Sequence, residues 1–273
     1  MPTKLRSLII HFVLLVVLAF WMVPMIYMFS VSLRSPGQAF DPALITLPVT
    51  FDNFQLVLHD NPLTRIFLNS MIVTVSTVLI VVSVAALFAY GASVLKLRGS
   101  SVLYVTLLTT LMVPIASLVL PLAILIRHFG WVNSYLGLIF PYAALGVPFA
   151  IVILKAFLDD APTELFDAAR IDGCSDWQTF WHVALPIIRP SIAFVAIWQF
   201  IVTWNEFFLA LIILTKPEMK TLTIVPMQYS GLYMANPGAL FAILVLIALP
   251  LVLLYTVIQR AFVGGLLAGA LKG

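Results

Sequence analysis

Gln199, Thr203 and Glu206 fall at i, i+4 and i+7 within residues 191–214, a run that is otherwise mostly apolar. On a helix that spacing makes a single polar stripe. Glu206 is the only acid in any of the long apolar runs of the chain. A charge near a bilayer centre costs about 2.5–3.5 kcal/mol on insertion scales, so Glu206 is expected to face protein or water. The chemistry on offer is hydrogen bonding without bond breaking. An amide, a hydroxyl and a carboxylate can hold the hydroxyls of a polar solute in transit, with Trp204 supplying an aromatic face and Asn205 beside it. The same stripe can equally bond to the helices of a neighbouring subunit. Asn69, with Ser70, offers the same two readings in the run at 67–90.

Catalysis and metal binding find no support. Cys174 is the only cysteine, and His11, His59, His128 and His182 are scattered, so neither a disulfide framework nor a metal set is expected. No serine or cysteine stands with a plausible base and orienting acid, and no G-x-x-x-x-G-K-[ST] phosphate loop occurs.

The elements that must carry the stripe follow from composition. Of 273 residues 63% are hydrophobic and 9% charged, and the mean hydropathy is +1.13. A soluble domain carries about 25% charged residues. Six apolar runs, at 9–29, 67–90, 102–126, 136–157, 191–214 and 239–260, approach the roughly 20 residues of a membrane-crossing helix. They are too long and too uniform for barrel strands. The expected fold is all-α, a polytopic membrane protein of six transmembrane helices. The first run exceeds the roughly 7–15 apolar residues of a secretion signal and has no small-residue cleavage site, so it is expected to be a retained helix.

Basic residues set the orientation. With the N-terminus inside, Lys4, Arg6, Lys96, Arg98, Lys155, Arg170, Arg189, Arg260 and Lys272 are cytoplasmic, against Arg34, Arg65, Arg127, Lys216 and Lys220 outside. Both termini are therefore expected in the cytoplasm, and the net charge of +3 needs no nucleic-acid partner. Residues 158–190 become the long cytoplasmic loop; 31–66 and 215–238 become outer loops, the former with a short ordered segment near Phe51 to Leu58.

The inner loop carries Asp159, Asp160, Glu164, Asp167, Asp172 and Asp176 and reads as two short helices. Pro162 opens the first, and Asp172-Gly173 stops it. Ser175 and Gln178 form a capping box for the second, whose Trp177, Phe180, Trp181 and Ala184 share one face. Leu185-Pro186 ends it. On these features alone the loop is either a docking surface for another protein or an interfacial hairpin with its aromatics on lipid headgroups.

The loop resembles the cytoplasmic signature of ABC importer permeases: E-A-A, three residues, G, nine residues, I, one residue, L-P. Here it stands as Asp167-Ala168-Ala169, Gly173, Val183 and Leu185-Pro186, with every spacing kept and two departures, Asp for Glu and Val for Ile. Phe67-Leu68-Asn69-Ser70, Trp204-Asn205-Glu206-Phe207 and the ending from Gly264 to Gly273 look like the carbohydrate, maltose-type branch. The resemblance implies a type I importer permease fold, with residues 1–66 as first helix and external loop and 67–273 as the permease core. It implies a heterodimer with a homologous second permease, two ABC ATPase subunits that bind ATP and Mg, and an extracytoplasmic sugar-binding protein. It places the chain in the cytoplasmic (inner) membrane, with no cofactor of its own.

In that arrangement Gly173 permits the turn and Ala168 and Ala169 keep the ATPase contact thin. Asp167 and Asp172 cap the helix or pair with the ATPase, while Leu185 and Pro186 fix the loop to the fifth helix. The glycine-rich ending is a flexible linker by composition, and the resemblance makes it a second ATPase contact. Two rivals stand beside the sugar permease. One is a permease for glycerol phosphate or a polyol, disfavoured because no predicted membrane interior contains an arginine. The other is a stand-alone secondary transporter, which would need inverted repeats that the chain lacks.

Overall fold

The computed structural model describes residues 3–38, 40–231 and 236–270, with side chains over 5–38, 40–231 and 236–256. Among them all regular structure is helical: α1 (Thr3–Ser32), α2 (Asp52–Asp60), α3 (Leu63–Ser93), α4 (Ser100–Thr110), α5 (Ile115–His128), α6 (Leu136–Asp159), α7 (Thr163–Ile171), α8 (Asp176–Thr179), α9 (Leu185–Ile187), α10 (Arg189–Trp204), α11 (Phe208–Ile213) and α12 (Pro237–Ala270). A π-turn at Phe180–Ala184 joins α8 to α9, and 3₁₀ turns occupy Pro217–Met219 and Leu222–Tyr229.

Among the described residues four single helices are long and apolar enough to cross a bilayer: Leu5–Ser32, Leu63–Ser93, Leu136–Asp159 and Pro237–Thr256. Two bent helix pairs bring the count to the six expected when each pair is taken as one span. The run at 102–126 is split into α4 and α5, which meet at 105°. Pro114, the residue before α5, is extended at ψ 126°, so the helical path of α4 does not run on into α5. The run at 191–214 stops at Trp204, breaks over 205–207 and resumes as α11. With 16 residues, α10 rises about 24 Å, short of the roughly 30 Å hydrocarbon core.

The chain divides into two compact units, residues 1–63 with 225–252, and 64–224 with 253–273. In the first, Arg34 is buried and donates to the carbonyls of Asp41 and Ala43 at 2.5 Å each, while its guanidinium lies 5.3 Å from the Tyr27 ring. Asn53 of α2 donates to the carbonyls of Ser32 and Arg34. These bonds order the long loop after α1. Asn61 donates to the Tyr229 hydroxyl at 2.8 Å. Burial, with the Asp60 carboxylate beside it, pushes that hydroxyl above its usual range.

The second unit has two apolar clusters. One joins Val81, Ala85 and Ala89 of α3, Ala150, Leu154 and Leu158 of α6, Phe166, Phe180, Ala184 and Val195. The other joins Ala123 and Ile126 of α5, Leu138 and Ile139 of α6, and Leu209, Ala210 and Ile213 of α11. Small residues on α3 let helix backbones approach closely, as packing in lipid requires. The glycine-rich ending is helical through Ala270, not a flexible linker. Its leucines and alanines are strong helix formers, and each glycine costs only about 1 kcal/mol against alanine. Residues 271–273 lie outside the described residues.

Candidate functional site

The loop at 158–190 folds as the two short helices expected. After α7, Gly173 turns left-handed with φ +79°. Its N–H reaches the Arg170 carbonyl at 3.1 Å, and the Cys174 N–H reaches that of Ala169 at 3.0 Å. Those paired bonds are a Schellman closure. A Cβ at Gly173 would meet nothing within 4 Å, so backbone conformation alone demands the glycine. Ala169 is buried against the core and Ala168 is exposed. Asp172 caps α7 and is exposed. Asp167 already pairs with Arg170 of its own helix at 2.9 Å, both ends exposed. Such a surface pair contributes about 0–1 kcal/mol.

Ser175 accepts from the Gln178 N–H at 3.3 Å, and Gln178 Oε1 accepts from the Ser175 N–H at 2.8 Å, closing the capping box. One expectation shifts beyond it. Leu185-Pro186 does not end the helix: the Leu185 N–H bonds to the Phe180 carbonyl, and α9 continues to Ile187. The wide turn provides for Pro186, which lacks an N–H and whose ring would crowd an ordinary α turn. The aromatics do share one side, with the Trp177, Phe180 and Trp181 ring centroids 5.5–5.7 Å apart, but burial is uneven across it. Phe180 and Ala184 are buried, whereas Trp177 and Trp181 are 59% and 52% exposed. Phe180 packs on Tyr90 of α3 with ring centroids 5.3 Å apart, and Tyr90 donates to the Asp176 carbonyl at 2.9 Å. Ile188 then turns the chain through 75° into α10.

The polar stripe holds together although α10 ends within it. Gln199 and Thr203 are buried on α10, the Gln199 amide donating to the Thr203 hydroxyl at 2.9 Å. Glu206 lies beyond the helix end, in the break. All three line one cleft of about 240 Å³, with Tyr142 and Gly146 of α6 and the apolar side chains of Leu111, Phe149, Trp198 and Val202 among its other walls. Phe149 and Trp198 are in contact, with centroids 5.3 Å apart and ring planes 36° to each other. The other three expected pathway residues do not line it. Trp204 is buried between Phe67 and Phe200, where its ring contacts hold it. Asn205 is exposed and folds back onto the Ile201 carbonyl. Asn69 is used by the segment after α11: its amide donates to the carbonyls of Glu218 and Lys220 at 2.9 Å each, and its Oδ1 accepts from Tyr135.

Sequence reasoning missed Tyr142 and Gly146. Tyr142 donates its O–H to the Glu206 carboxylate. A Cβ at Gly146 would collide with the Gln199 amide, so the glycine admits α10 at that crossing. The two stand at i and i+4 in an apolar helix, the one signal that they share a face.

Residues 81–267 match the family described as the binding-protein-dependent transport system inner membrane component. The chain is 33% identical over 253 residues to the diacetylchitobiose uptake system permease protein NgcG of Streptomyces coelicolor, covering 92% of this chain and 84% of that one. It is 31% identical over 259 residues to the trehalose transport system permease protein SugB of Mycobacterium tuberculosis, covering 94% of each. It is 33% identical over 253 residues to the trehalose/maltose transport system permease protein MalG of Thermococcus litoralis, covering 92% of this chain and 91% of that one. A chain of a bacterial ABC transporter involved in the import of alginate has the same fold, with a TM-score of 0.82, 23% identity, and coverage of 96% and 98%. The apolar helices, the loop with its left-handed glycine and these matches lead to one conclusion: the chain belongs to the binding-protein-dependent transport system inner membrane component family, a multi-pass permease.

Proposed function

We propose that this chain is one permease subunit of an ATP-binding-cassette importer that moves a neutral sugar inward, working with a second, homologous permease. Two separate ATPase subunits bind and hydrolyse ATP with Mg²⁺, and an extracytoplasmic binding protein delivers the sugar. The observation that carries the reading is the loop at 167–186, a helix closed at Gly173 and followed by two exposed tryptophans. An ATPase grips that shape, and its closure repacks the membrane helices as rigid bodies. The sugar reading is supported by the names of the relatives and by the cleft. Trp198 and Phe149 offer aromatic rings to a sugar ring, Gln199 and Thr203 offer amide and hydroxyl groups, and none of the described residues lining it is basic. Both termini and the loop at 158–190 face the cytoplasm.

The test is to tag the chain, solubilise native membranes gently and identify what copurifies. A phosphate-loop ATPase and a second permease are expected, and the reconstituted complex takes up sugar only with ATP and the binding protein. A chain that purifies alone and transports without ATP would overturn the assignment.

A further inference from the structure

The break at 205–207 leaves the first N–H groups of α11 without partners in their own helix. Within a bilayer each such group costs several kcal/mol. Glu206 supplies the acceptors: one carboxylate oxygen takes the Leu209 N–H at 3.0 Å, the other the Ala210 N–H at 3.3 Å. Tyr142 of α6 donates its O–H to the same carboxylate. The Glu206 carbonyl accepts from the Thr223 hydroxyl at 2.8 Å. A carboxylate has about four acceptor positions, and three are already taken. A cavity of about 10 Å³ lies against this group, lined by Thr74, Tyr142, Thr203, Thr223 and Glu206. That is room for about one water, so on this side the carboxylate faces the polar groups of its own chain. One turn along α6, Gly146 seats the Gln199 amide and fixes the same helix pair.

We infer that Glu206 is a positioning residue: it locks the break in the fifth membrane segment to α6 and to the segment around Thr223, and transport depends on it through that geometry, not through a bond to the solute. This rests on the transport reading above.

The experiment uses the complete transporter in liposomes and measures initial uptake for Glu206→Gln, Glu206→Ala, Tyr142→Phe and the double variant Glu206→Ala/Tyr142→Phe. A hydrogen bond to a charged group is worth enough that maximal velocity should fall about tenfold in Tyr142→Phe, with KM changed by less than about twofold. The double variant should be no slower than Glu206→Ala, because members of one unit are not additive. Spin labels on the exposed Ile201 and Ile212 should report a narrow distance distribution in wild type and a broad one in Tyr142→Phe. If Glu206→Gln instead raises KM about tenfold at unchanged velocity while Tyr142→Phe is silent, Glu206 contacts the solute and the inference is wrong. A narrow distribution in every variant would also overturn it. Should Glu206→Ala not assemble, Tyr142→Phe, which removes one oxygen, carries the test. If wild type shows no ATP-dependent uptake, the transport reading fails while the spin-label distances still judge the lock.

Discussion

Gly173 separates two demands that a glycine can meet. Space is not one of them, since a Cβ there would touch nothing within 4 Å. Conformation is, at φ +79°, and a left-handed residue with a side chain costs about 1–2 kcal/mol. Asn tolerates that region better than Ala. Uptake should therefore fall in the order Gly, Gly173→Asn, Gly173→Ala, each variant assembling in the membrane. Gly173→Asp has a similar backbone tolerance and adds a charge. It should fall below Gly173→Asn and lose the copurifying ATPase if the bend is a docking surface; equal uptake for the two would mean that only the backbone matters. The glycine was legible because Asp172-Gly173 follows a short polar helical stretch. Tyr142 and Gly146 were not, because their partners come from a helix far along the chain and no local period marks them. Glu206 was noticed for its charge, but its bonds to Leu209 and Ala210 exist only because the helix breaks there.

The capping box is the element whose structure the sequence stated most directly, since Ser175 and Gln178 satisfy each other within three residues. Ser175→Ala should lower the local stability of α8 by about 1 kcal/mol. Hydrogen exchange is the measurement: faster exchange is expected at 178–181, with α10 unchanged. Spread of the effect into α10 would mean that the loop and α10 unfold together. What hydropathy hid were the breaks. An average over 102–126 or 191–214 stays high whether the helix is straight or interrupted, and only Pro114 gave a local warning. The π-turn was hidden too, because an apolar set at i, i+3, i+4 and i+7 presumes an unbroken α-helix.

For the whole molecule, composition alone required a bilayer, and the positive-inside count proposed a direction. Cys174, the only cysteine, lets that direction be read. A membrane-impermeant maleimide should label it in inside-out vesicles and not in right-side-out ones. A cysteine at the exposed position Lys216, in a Cys174→Ser background, should behave in the opposite way. The reverse pattern at both sites would invert the topology. Packing at this scale was only partly legible. The sequence marked α1 as apolar, yet none of its membrane window is buried within this chain, whereas half of the α6 window is.

The π-turn at Phe180–Ala184, which contains Trp181, inserts one extra residue between Trp177 and the membrane helix that follows. One residue of an α-helix is about 100° of rotation. The turn is thus a phase offset between what an outside protein would touch and what the membrane helices feel. A chain that lost this residue would keep its composition, its hydropathy and its length to within one position, and would still present Trp177 to the wrong side. To recover, it would have to carry its aromatics one place over, so the spacing in this stretch is a matter of angle as much as of distance.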